Sequence, residues 1–88
     1  MGYTIIISKS VRKQIDSLPD ELRMRISEKV NNLREEPRSG GVVKLKGYTN
    51  EYRLRVGDYR VRYEIDDSNQ IILLLQCKHR REVYPTHP

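Results

Sequence analysis

The chain predicts an α+β fold in which a mostly antiparallel four-stranded sheet carries a helical hairpin on one face, in the order β-α-α-β-β-β. Three observations predict it. Glu51–Ile65 reads as two alternating runs either side of Gly57-Asp58, the pattern of an antiparallel hairpin. Between Val11 and Leu33, apolar side chains recur at helical spacing on both sides of Pro19. Ile71–Cys77 is an unbroken apolar run of strand length. The 88 residues leave room for one domain, residues 1–88, with a modest core.

Tyr3–Ile7 is short and rich in β-branched residues, and reads as the first strand. Ser8 or Ser10 can cap a helix whose apolar positions are Val11, Ile15 and Leu18. Pro19 closes that helix and opens the next, with Asp20 and Glu21 where the helix dipole favours acids. Leu22, Ile26, Val30 and Leu33 form the second stripe. Glu35-Glu36-Pro37 should stop it, because the residue before a proline is pushed out of the helical region. Arg23, Arg25, Lys29 and Arg34 lie off the stripe as a solvated face. Val42–Leu45 is a candidate strand or its lead-in, and Lys46–Asn50 turns the chain into the hairpin. Ile71–Cys77 is expected to be buried on both faces in the middle of the sheet.

Composition narrows the function. The single cysteine, Cys77, excludes an internal disulfide framework and a cysteine-based zinc site, and its apolar surroundings make it a core residue. No stretch approaches the ~20 apolar residues of a membrane span, and Tyr3–Ile7 is too short for a signal-peptide core. A cytoplasmic protein with no membrane partner is expected. No carboxylate pair at ligand spacing, no His-x-x-x-His and no glycine-rich phosphate loop is present, so neither metal nor other cofactor is expected. The 17 Lys/Arg against 12 Asp/Glu leave a net charge of +5, shared by both halves, so the arrangement of charge matters more than its size.

That arrangement is unusual in the hairpin. A two-residue type II′ loop places Val56 opposite Tyr59, Leu54 opposite Val61 and Tyr52 opposite Tyr63 on one face. On the other face Arg55 meets Arg60 and Arg53 meets Arg62. Like charges directly opposite destabilise a sheet by roughly a few tenths to 1 kcal/mol per pair. Four arginines in that arrangement read either as a solvated face whose side chains splay apart or meet carboxylates elsewhere, or as a face awaiting a polyanion, since planar guanidinium forks match phosphate oxygens.

The apolar run is followed by Lys78-His79-Arg80-Arg81-Glu82-Val83-Tyr84. A strand lying antiparallel beside Tyr59–Ile65 would deliver this cluster to Arg55, Arg60 and the Gly57-Asp58 turn. Cations joined by a tyrosine and a histidine suit ribonuclease chemistry. The substrate's own 2′-hydroxyl attacks the adjacent phosphate, while the protein supplies position, proton transfer and charge stabilisation. Tyr84 can act as base once neighbouring cations lower its pKa from about 10; His79 is the competing base. His87, near the end of the sequence, is given no role.

The layout, the segment Lys44-Leu45-Lys46-Gly47-Tyr48, the hairpin Tyr52–Tyr63 and the ending His79-Arg80-Arg81-Glu82-Val83-Tyr84 together resemble the RelE/ParE toxin superfamily, and most closely its RelE-type mRNA interferases. The resemblance covers essentially the whole chain. It implies the toxin of a type II toxin–antitoxin system: a metal-independent endoribonuclease that cuts mRNA in the ribosomal A site, contacts ribosomal RNA and is silenced by a RelB-like antitoxin. By position, Tyr84 matches the family's general base and Arg60 the arginine that stabilises the transition state. Arg53 and Arg55 match two phosphate-binding residues. Arg62, Lys44, Lys46 and Arg81 are further candidate substrate contacts. The family's general-acid arginine falls at Lys78, so the acid stays open among Lys78, Arg80, Arg81 and His79, with Lys78 and Arg80 favoured. The alternative is a ParE-like toxin that inhibits DNA gyrase and cuts no RNA.

Overall fold

A five-stranded sheet, one strand more than expected, carries the fold; the computed structural model describes residues 2–38, 42–45 and 50–83. The order is β1 (Thr4–Ile7), α1 (Lys9–Asp16), α2 (Asp20–Asn32), β2 (Val42–Lys44), β3 (Glu51–Val56), β4 (Tyr59–Asp66), β5 (Ile71–His79) and a short α3 (Arg80–Val83). The sheet order is β1-β5-β4-β3-β2. Only the β1–β5 pairing is parallel. The added strand is β2, whose three residues are too few to show a period.

Local chemistry sets the helix ends. The Ser8 hydroxyl accepts from the Val11 amide at 3.3 Å and caps α1. Pro19 is the N-cap of α2, with Asp20 and Glu21 in its first turn. The helix ends at Asn32, before Glu35-Glu36-Pro37. There the backbone tightens: the amides of Leu33 and Arg34 reach back three residues, to the carbonyls of Val30 and Asn31.

Both helices pack on one sheet face, and that side holds the core. Val11, Ile15, Ile26, Val30 and Leu33 cover Leu54, Val56, Val61, Tyr63, Ile65, Ile72, Leu74 and Cys77. Burial pushes the Cys77 thiol pKa up to about 11, so it stays a protonated apolar group. Because the helices cover a single face, β5 is not buried on both. Its outward residues Ile71, Leu73 and Leu75 are only half-buried, and β4 rather than β5 lies in the middle of the sheet.

One irregularity in β5 decides where its far end points. Tyr63 pairs with Leu74, but Arg62 pairs with Gln76, leaving Leu75 as an extra residue. A bulge of one residue exchanges inward and outward positions beyond it. Leu74 and Cys77 both face the core, and Lys78 joins the outward face beside Arg60. An uninterrupted alternation from Leu74 would have turned Cys77 outward and Lys78 into the core.

The opposite end of the sheet is clamped. Arg38 binds Asp67 through both terminal nitrogens, at 2.8 and 3.3 Å, and Tyr3 Oη donates to the same carboxylate at 2.7 Å. Arg38 Nε also donates to Tyr52 Oη at 3.0 Å, and Tyr63 Oη donates to the Pro37 carbonyl at 2.6 Å. These bonds tie the segment after α2 to the start of β3 and to the β4–β5 turn. Among the described residues, no helix is long and apolar enough to cross a membrane.

Candidate phosphate-binding site

The hairpin forms in the register that its alternation predicts. Arg53 pairs with Arg62 and Arg55 with Arg60, while Tyr52–Tyr63 and Leu54–Val61 pair on the core face. Gly57 has φ +58° and Asp58 does not share the positive φ, as a type II′ turn requires. Pairing continues into β5, where Arg60 meets Lys78 and Arg62 meets Gln76. The face opposite the two helices therefore carries two cationic rows across three strands: Arg55–Arg60–Lys78 nearest the turn, then Arg53–Arg62–Gln76.

Arg60 is the centre of this cluster and is only 8% exposed. Its Nη1 donates to two backbone carbonyls, Gly57 at 3.0 Å and Tyr59 at 2.9 Å. Among the described side chains, which do not include that of Glu82, no carboxylate lies within ion-pair distance of it. A buried charge is ordinarily paired, because desolvation costs several kcal/mol. Here the nearest neighbours in register are two further cations. The turn carbonyls fix the guanidinium without neutralising its positive charge. That is how an anion-binding arginine is preorganised before its ligand arrives.

The other candidates divide by position. Arg55 is exposed, Arg53 and Lys78 are half-buried, and all three share the outward face with Arg60. Arg62 shares it too, but its Nε lies 3.3 Å from Glu51, so part of its charge is answered. Arg80 opens α3 against the hairpin turn: its amide donates to the Asp58 carbonyl at 2.7 Å, and its Nε lies 3.7 Å from the Asp58 carboxylate. Arg81 is exposed, and its amide donates to His79 Nδ1 at 3.2 Å. His79 pairs with Tyr59, whose ring it meets edge-on at 5.3 Å. This puts His79 in register with the core-facing row rather than with Arg60 and Lys78. Lys44 pairs with Tyr52 and is likewise in the register of the core face, so it is not brought to the arginines. Lys46 and Tyr84 lie outside the described residues, as does His87.

Asp58 does more than close the turn. Its carbonyl and carboxylate both meet Arg80, coupling the hairpin turn to the start of the C-terminal cluster. An acidic turn residue followed, a strand later, by a basic run is the only signal the sequence offers for it.

A family description, "ParE toxin of type II toxin-antitoxin system, parDE", matches residues 5–84. The chain belongs to this toxin family. Among curated relatives it is similar to toxin RelE3 of Methanocaldococcus jannaschii, 29% identical over 93 residues, covering 96% of this chain and 98% of the relative. Its structure resembles the RelE–RelB complex of Pyrococcus horikoshii, with 38% identity, TM-score 0.80, and 91% of this chain and 97% of that one covered. It also resembles the RelBE2 toxin–antitoxin complex of Mycobacterium tuberculosis, with 26% identity and TM-score 0.79, over 91% of this chain and 100% of that one. The RelE-like α+β fold and a toxin of the RelE/ParE type follow from these likenesses and from the geometry above.

Proposed function

We propose that this toxin is a ribosome-dependent endoribonuclease that cleaves mRNA in the A site by attack of the 2′-hydroxyl on its own phosphate, and so blocks translation. The single observation that carries the reading is Arg60: a nearly buried, carbonyl-anchored cation with no carboxylate partner among the described side chains, flanked by Arg55 and Lys78. A phosphate gaining charge in its transition state supplies the missing anion, and preorganised donors are the largest single contribution such a site can make. Arg53 and Arg55 hold the flanking backbone. Tyr84 takes the 2′-hydroxyl proton. Lys78, across from Arg60, or Arg80, beside the turn, protonates the leaving 5′-oxygen.

The same surface invites an inhibitor. The similar Pyrococcus horikoshii and Mycobacterium tuberculosis proteins are toxin–antitoxin complexes, and a RelB-like antitoxin with an acidic segment over the arginine rows is the expected partner here. Inhibition of DNA gyrase is the second reading, favoured by the ParE description of the matching family.

The test is to induce the toxin, follow translation and map mRNA 3′ ends for the wild type, Arg60→Ala and Tyr84→Phe. New ends within codons should appear with the wild type and fall at least about 100-fold with Arg60→Ala, the usual loss for one transition-state donor. Intact message with stalled replication would establish the gyrase reading instead.

A further inference from the structure

Charge on the sheet face opposite the two helices reverses sign along the strands. The Arg55–Arg60–Lys78 row carries three positive charges and the Arg53–Arg62–Gln76 row two. The next row, Glu51–Glu64–Leu73, carries two negative charges, and Asp66 follows one row further on. Glu51 pairs with Arg62 at 3.3 Å. Glu64 makes no ion pair among the described residues. The two glutamates also stand directly opposite each other, an arrangement a sheet tolerates at a cost.

Distances decide whether a polyanion feels this boundary. Residues two apart on a strand are separated by ~7 Å, so neighbouring rows lie within the ~8 Å screening length of physiological salt. Adjacent strands are ~4.8 Å apart, so the row nearest the turn spans about 10 Å across the sheet. A nucleic-acid backbone running along β4 would leave Arg60 and pass over Glu64 four residues later. One running across the strands stays over cations.

From this the geometry points to Glu64, helped by Glu51, as a residue that orients the substrate: it bars the lower half of the sheet and makes the phosphate backbone cross β3, β4 and β5 along the two arginine rows. The inference rests on RNA as the ligand of this face. It adds the direction of the strand and the residue that sets it. Glu64 touches no reacting atom; it acts by repulsion on the wrong path.

The test uses a short 2′-O-methyl oligonucleotide, which cannot be cut, titrated into the isotope-labelled toxin while backbone amide resonances are followed. In the wild type, amides of Arg53, Arg55, Arg60, Arg62, Gln76 and Lys78 should shift, and those of Ile6, Glu64 and Leu73 should not. In Glu64→Gln, an isosteric change, shifts should spread to Leu73 and Ile6. Affinity at low salt should rise about fivefold, a gain that fades as salt is added. Shifts running down β4 past Glu64 in the wild type, or a footprint unchanged in Glu64→Gln, would overturn the inference. Cleavage of message is measured separately. A crosswise footprint on a toxin that cuts no mRNA would leave this inference standing and remove the nuclease reading, whereas cleavage with a lengthwise footprint would do the reverse.

Discussion

The two ends of the sheet treat an arginine in opposite ways. At the end near the β4–β5 turn, Arg38 is bound by both oxygens of Asp67, donates to Tyr52 Oη and lies over the Tyr52 ring at 5.3 Å. At the hairpin turn, Arg60 is far less exposed than Arg38, yet among the described side chains and backbone it meets two carbonyls and no carboxylate. The first arrangement closes a loop against the sheet and is complete in itself. The second is complete only when something negative arrives. The contrast separates residues that hold the fold from residues that hold a ligand, although both are arginines on the same small domain.

Breaking the turn end should have the larger effect. Gly57 occupies a left-handed backbone that an L side chain resists, and its carbonyl is one of the two that anchor Arg60. Space for a Cβ is ample, the nearest side-chain atom being Arg25 Nη1 at 4.0 Å, so the penalty is backbone strain of about 1–2 kcal/mol. Gly57→Ala should therefore lower the thermal midpoint and also reduce cleavage per folded molecule, because one of the two carbonyls that anchor Arg60 is displaced. Chemical denaturation combined with a cleavage assay on the soluble fraction measures both.

The clamped end should yield a smaller change that leaves activity alone. The Arg38 guanidinium and the Tyr3 hydroxyl hold the Asp67 carboxyl below its ordinary range. A carboxylate whose folded pKa is depressed contributes stability above its unfolded value of about 4, and that contribution is lost as pH falls through the lower folded value. Asp67→Asn should thus cost a little stability at pH 7, nothing in strong acid, and no activity per folded molecule. Thermal midpoints of the two proteins between pH 2 and pH 7 should converge as pH falls below about 4.

Legibility in the sequence follows the same division. The hairpin was readable because each strand alternates without interruption and the glycine marks the turn, so arginine partners could be named from spacing alone. The proximity of Lys78 to Arg60 was readable from antiparallel order. What could not be read was the phase of β5. A run of five apolar residues, Ile71 to Leu75, looks the same in either phase, so the bulge at Leu75 left no trace. The same uniform run suggested burial on both faces, when the two helices suffice for one. β2 was too short to be certain of as a strand. The gathering of Arg55, Arg60 and Lys78 into one row is a property of three strands together. No local pattern of residues encodes it.

The most direct measurement is the thermal midpoint of the wild type and of Arg60→Met, each with and without an uncleavable oligonucleotide at low salt. Replacing a buried charge that has no carboxylate partner among the described side chains with a side chain of similar length should leave the free protein as stable as the wild type or more so. The oligonucleotide should raise the midpoint of the wild type, as any ligand of the native state does, and barely move that of the variant. A free variant destabilised by about 3–5 kcal/mol, the signature of a broken buried ion pair, or an undiminished rise with ligand would contradict the account of Arg60 as a cation held in readiness for phosphate.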